Sequence, residues 1–127
     1  MSHSLHFDGS AGCFIHSLSG IISIEDVLAA SLAQANHPDH HARVAAIWDV
    51  READLSLISR DAVRTYAGSG SSVGRQERED RIVIVVASRH DYAIARQMLG
   101  YMDWPPALSH ISYDIDDAFT WLANGPT

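Results

Sequence analysis

Two uninterrupted apolar runs, residues 44–48 (VAAIW) and 82–87 (IVIVVA), constrain this chain more than any other feature. A strand with one face in water alternates apolar and polar residues. A strand apolar at every position has to be covered on both faces, which is the situation inside a parallel sheet flanked by helices. Residues 11–18 alternate in part, with Phe14 and Leu18 on one face and Cys13 and Ile15 on the other. Residues 108–113 (LSHISY) alternate and so belong nearer a sheet edge, and residues 3–7 supply a further edge strand.

Helical patterns fall between these runs. Ile24, Val27, Leu28, Ser31, Leu32 and Ala35 recur at helical spacing, as do Ile94, Ala95, Met98, Leu99 and Met102. A short pattern spans 60–67, and Ile115, Ala118, Phe119 and Leu122 form another, closed by Asn124-Gly125-Pro126. Ser23, Ser88 and Asp114 each precede an aspartate by three residues, the spacing of a capping box, so Asp26, Asp91 and Asp117 are read as capping residues. Ser59 is placed to cap the second helix, with Ile58 and Val63 as its hydrophobic staple. Alternating strand and helix predicts an α/β domain with right-handed crossovers between parallel strands. The 127 residues suit one domain spanning 1–127, with residues 68–80 (GSGSSVGRQERED) as an exposed Gly/Ser and charged loop.

Composition excludes several function classes. A net charge of −7 argues against nucleic-acid binding, which needs clustered cations against phosphate. All nine basic residues are arginines, so lysine Schiff-base chemistry and a P-loop lysine are ruled out. Cys13, the single cysteine, sits in a strand-like stretch and is read as a small buried hydrophobe. No apolar run approaches the ~20 residues of a membrane span, and the start, MSHSLHF, lacks the pattern of a secretory signal. A cytoplasmic protein is the expectation.

Three constellations bear on chemistry. Gly70-Ser-Ser-Val-Gly74 fits the G-x-S-x-G pattern but lacks the strand-to-helix setting of a nucleophile elbow. His37, His40 and His41 lie in one turn beside Asp39, and a metal site would require them to converge with further ligands. The third lies at strand ends, where open α/β sheets collect ligands. Asp49 and Arg51 follow the VAAIW run, and His90, Tyr92 and Arg96 follow the IVIVVA run. The structural alternative for Asp49 is an anchor for nearby backbone, paired with an arginine.

Together, the segments IWDVREADLSLISRDAV, RIVIVVASRHDYAIARQML and ISYDIDDAFTWL resemble the SpoIIAA-like family, small proteins allied to STAS domains and anti-sigma factor antagonists. The resemblance runs from about Gly9 to Leu122. It implies repeated β-α units, a mixed and mostly parallel sheet flanked by helices, and no established enzyme activity. STAS domains generally bind regulatory partners, and some are switched by phosphorylation of a serine at a helix start. Here the Asp-Ser-Ser-Gly type sequence is missing, and only Ser59 approximates the acceptor.

A non-enzymatic STAS-like regulatory or protein-binding module is therefore the leading expectation, without cofactor or metal. The alternative is a carrier of a small hydrophobic or anionic ligand, by resemblance to CRAL-TRIO lipid-transfer proteins. Met98, Tyr101, Met102 and Trp104 would then face the ligand, although such a stripe is ordinarily core. An enzyme built on Asp49, Arg51, His90 and Arg96 is the third possibility. The candidate ligand or partner surface comprises Asp49, Arg51, Ser59, His90, Tyr92, Arg96 and Trp104, and a homodimer is compatible with exposed aromatics around Trp104-Pro-Pro106.

Overall fold

A computed structural model of the chain describes residues 1–68 and 80–124. The loop expected at 68–80, with its G-x-S-x-G match, falls almost wholly outside the described residues. Five strands form one sheet in the order β1-β2-β3-β4-β5. They are β1 (Ser2–Asp8), β2 (Cys13–Ile21), β3 (Ala45–Asp54), β4 (Ile82–Val85) and β5 (Ser109–Ser112). The β1/β2 pair is antiparallel, while β2, β3, β4 and β5 are parallel. The helices α1 (Ile24–Ala35), α2 (Arg60–Gly68), α3 (Arg89–Tyr101) and α4 (Ile115–Ala123) follow β2, β3, β4 and β5 in turn.

Strands laid side by side in chain order, joined by crossovers of one hand, send every connecting helix to the same face. Val27 of α1, Val63 of α2, and Ala95 and Leu99 of α3 accordingly share a core with Leu18, Val50, Ile82 and Ile84 of the sheet. Helix α4 follows the last strand and folds onto the other face, where Ala118 and Leu122 meet Cys13, Ala45, Ile47, Val83 and Val85. This two-sided burial is why 44–48 and 82–87 carry no polar residue. Val83 and Val85 on one face and Ile82 and Ile84 on the other are all buried.

The β1/β2 hairpin is held by Asp8, whose Oδ1 accepts from the backbone N–H groups of Ser10 and Ala11 and from the Ser10 hydroxyl. Gly12 then takes a positive φ of 67°, a left-handed conformation that glycine adopts without a Cβ clash. Ser23 and Asp26 form both arms of a capping box at α1. Ser59 Oγ accepts from the N–H of Ala62, and Ser88 Oγ from that of Asp91. At α4 the expected partner is wrong: Asp114 Oδ1 accepts from the N–H of Asp116 at 2.8 Å. Asp117 instead turns back to the sheet and binds His110 Nε2 at 2.9 Å.

The second strand-end reading also needs correction. Asp49 is not the exit of β3, because the strand continues to Asp54 against β2, while its pairing with β4 stops at Asp49 and Val85. Between Ser17 and Ser19 of β2 the register shifts, so Val50 and Arg51 together stand opposite Leu18. The extra residue of this bulge breaks the two-residue period. Val50 and Ala53, three apart, both turn toward the helix-covered core, which is why the sequence stops looking like a strand at Trp48.

Candidate functional site

Between the sheet and helices α1 and α3 lies a cavity of about 620 Å³. Its walls are mostly aliphatic: Leu18, Val50, Ile82 and Ile84 from the sheet, Val27 and Leu28 from α1, and Ile94, Ala95, Met98 and Leu99 from α3. Ligand pockets commonly measure about 300–1,000 Å³ and are lined mainly by apolar groups with a few placed polar ones. Leu32 lines the cavity and is 56% exposed. Ala35 and His40 also line it and are exposed, so its mouth opens beside the last turns of α1.

The polar lining groups are grouped by position. Parallel strands start at one end of the sheet, and each returning helix finishes there. Ser31 and Gln34 are in the later turns of α1, His40 precedes β3, Asp80 precedes β4 and Trp104 follows α3, so all five lie toward the end where the strands begin. At the far end the lining is Ile22, Val27, Leu55 and Ile58. Trp104 Nε1 donates to the carbonyl of Asp80 at 3.2 Å, tying the α3 end to the start of β4.

Behind this polar end runs a buried hydrogen-bonded relay. His16 of β2 is fully buried. Its Nε2 lies 2.6 Å from Gln34 Oε1, and its Nδ1 lies 3.0 Å from His3 Nε2. With Gln34 Oε1 accepting, His16 carries its proton on Nε2 and receives the Nε2–H of His3 at Nδ1. The imidazole lies face to face with Trp48, at 3.8 Å and 13° between planes, and edge to edge with the hydrogen-bonded His3 ring, at 5.3 Å and 15°. Burial disfavours the imidazolium and pushes the His16 pKa down to about 4, against the opposing Gln34 hydrogen bond, so the ring is neutral at pH 7.

The residues expected at the site are scattered over the molecule. Asp49 and Arg51 form a two-pronged ion pair, Arg51 Nε to Oδ1 at 2.9 Å and Nη2 to Oδ2 at 2.8 Å. That hydrogen-bonded guanidinium holds the Asp49 carboxyl below its usual range. Asp49 Oδ1 also accepts the backbone N–H of Arg51. Asp49 projects from the same side of β3 as Ala45 and Ile47, opposite the cavity-lining Ala46, Trp48 and Val50. His90 and Arg96 are exposed on α3, and among the described residues neither bonds to the Asp49–Arg51 pair. Ser59 is engaged as a cap. Tyr92 stacks on Tyr113 at 5.8 Å. Of the seven, Trp104 alone lines the cavity, joined by Met98 and Met102 from the α3 stripe; Tyr101 does not.

The histidines of the 37–41 turn diverge. The His37 ring meets Phe14 edge-on at 4.9 Å, its Nδ1 accepting the N–H of Asp39. His41 Nδ1 accepts from Arg43 N–H, and His40 lines the cavity. Among the described residues no three His, Cys, Asp or Glu side chains converge as a metal site would require. Cys13 is buried in the α4-side core, which raises its thiol pKa to about 11, far from the low value of a reactive thiol. Among the described residues no helix is long and apolar enough to cross a membrane.

The His3–His16–Gln34 network is what sequence reasoning missed, although signals for His16 and Gln34 were present. His16 stands two residues from Phe14 and two from Leu18, in phase with the buried face of β2. Gln34 follows Val27 and Ser31 by seven and three residues, in phase with the inward stripe of α1.

Layer order, strand order and the single helix on the far face together define the SpoIIAA-like α/β fold. A crystal structure of an uncharacterised DUF3478-family protein with that fold, from Shewanella loihica PV-4, is similar over 95% of this chain and 92% of its own. The TM-score is 0.57 at 18% sequence identity, so the likeness is one of fold. No family model matches the sequence, and no curated protein does.

Proposed function

We propose that this chain is a non-enzymatic binding protein that holds a small apolar molecule between its sheet and helices α1 and α3. The cavity carries the reading. A space of about 620 Å³ corresponds to roughly 20 non-hydrogen atoms at the ~30 Å³ that one water occupies in the liquid. A domain core is ordinarily packed without voids much larger than a water. Enclosing such a volume among Ile, Leu, Val and Met side chains forgoes dispersion contacts that a filled core would make.

The test uses N-phenyl-1-naphthylamine, an uncharged probe that fluoresces in apolar surroundings. Saturable binding at one site is expected, abolished in Ala95→Phe. Ala95 lines the cavity and is 2% exposed, so the larger ring fills cavity space while crowding its core neighbours. A stability loss of about 1–3 kcal/mol is expected in that variant, and circular dichroism checks that it is folded before loss of binding is read. Absence of probe binding, or binding that survives the substitution, overturns the reading.

A protein-binding role, which the STAS resemblance implies, is favoured by a separate observation. Tyr113 is 51% exposed and stacked on Tyr92. An exposed aromatic pair held in one orientation is suited to a partner contact. A partner whose affinity is unchanged by Tyr113→Ser would exclude this surface.

A further inference from the structure

The geometry points to a ligand that is an amphiphile, with an apolar tail at the aliphatic end of the cavity and a hydrogen-bond acceptor at its head, read by the side-chain amide of Gln34. This deepens the binding-protein reading above and rests on it.

Three observations combine. First, the cavity is polar at the end where the strands begin and aliphatic at the other. Its mouth, marked by exposed Leu32 and His40, is at the polar end. A molecule entering tail-first would leave its polar group beside Gln34. Second, the Gln34 amide is oriented. His16 occupies Oε1 at 2.6 Å, and the NH₂ group has no hydrogen-bond partner among the described residues. What Gln34 offers the cavity is therefore a donor. Third, the orientation is enforced from behind. His16 is fully buried, stacked face-on against Trp48, and engaged at its second ring nitrogen by His3 at 3.0 Å.

A buried imidazole is a poor way to fill a strand position flanked by Phe14 and Leu18. An apolar residue there would need no partners. The His3–His16 pair meets the geometric requirement of a binding group locked by a supporting layer of hydrogen bonds. We assign Gln34 as the head-group donor, and His16 and His3 as positioning residues that hold its amide.

Displacement of N-phenyl-1-naphthylamine by undecan-2-one and by undecane compares one tail with and without an acceptor. The ratio of ketone to undecane affinity is expected to be roughly five- to ten-fold higher in the unsubstituted protein than in a variant without the Gln34 donor, the net yield of one hydrogen bond. Gln34→Glu keeps an acceptor for His16 Nε2 and removes the donor. His16→Leu releases the amide. Both variants are expected to lose that excess ketone affinity, read as the ketone-to-alkane ratio, even where their common affinity for the apolar probes shifts. A merely structural role for the relay would weaken all three probes together. A ketone-to-alkane ratio that is the same in the unsubstituted protein and in Gln34→Glu overturns the proposal. Failure of the naphthylamine to bind the unsubstituted protein removes the ligand-binding reading as well, so the two failures are distinguishable.

Discussion

Replacing His16 with phenylalanine tests the buried relay through the pH dependence of folding. An imidazole that titrates near 6.5 when unfolded titrates at about 4 in the native protein, because burial opposes its charged form. The native state thus binds a proton less readily than the unfolded chain. The stability this confers is fully present above pH 6.5 and is lost as pH falls toward 4. At 1.36 kcal/mol per pH unit the whole difference is roughly 3 kcal/mol, and about 2 kcal/mol of it falls between pH 7 and pH 5. Phenylalanine keeps a ring against Trp48 and cannot titrate. Its loss of two hydrogen bonds is the same at every pH. Urea unfolding at pH 5, 6 and 7, followed by tryptophan fluorescence and circular dichroism, should show the unsubstituted protein losing about 2 kcal/mol more than His16→Phe between pH 7 and pH 5. Parallel stability curves for the two proteins would refute a neutral buried His16.

Two further expectations follow from local geometry. Ser23→Ala removes the acceptor of Asp26 N–H and half of the α1 capping box; a loss of about 0.5–2 kcal/mol is expected in chemical denaturation. Arg51→Met removes the clamp on Asp49, so the Asp49 pKa should rise in an NMR titration of side-chain carboxyls. The accompanying destabilisation should stay within about 1 kcal/mol because Arg51 is partly exposed, and it should vanish in acid, where Asp49 is protonated in both states.

The sheet was legible because its central strands have no choice of face. Runs such as IVIVVA admit only two-sided burial, and the helix caps at Ser23, Ser59 and Ser88 mark their own positions. The end of β3 was not legible, since the bulge at Val50 and Arg51 destroys the alternation that identifies a strand. The cavity was hidden for a different reason. Met98 and Met102 present the same periodicity whether they pack against other side chains or face a space. Local sequence reports which residues turn inward, and the distance between the layers they turn toward is a property of the assembled sheet. Asp49 and Arg51 were conspicuous as charges near an apolar run, yet they satisfy one another. His16 was inconspicuous among apolar neighbours, and there its polarity is costly.

Strand order bears on how the chain comes to be folded during synthesis. Position in the sheet equals position in the chain, from β1 to β5. Among the described residues each strand pairs only with the strands immediately before and after it in the chain. A ribosome releasing the chain from its amino terminus would deliver β3 to an already formed β1/β2 hairpin, then β4 to β3, then β5 to β4, at some 5–20 residues per second. No strand has to wait for a distant partner, and no pairing has to be undone to admit a later one. The order of translation is itself a workable order of assembly, with α4 closing the second face last.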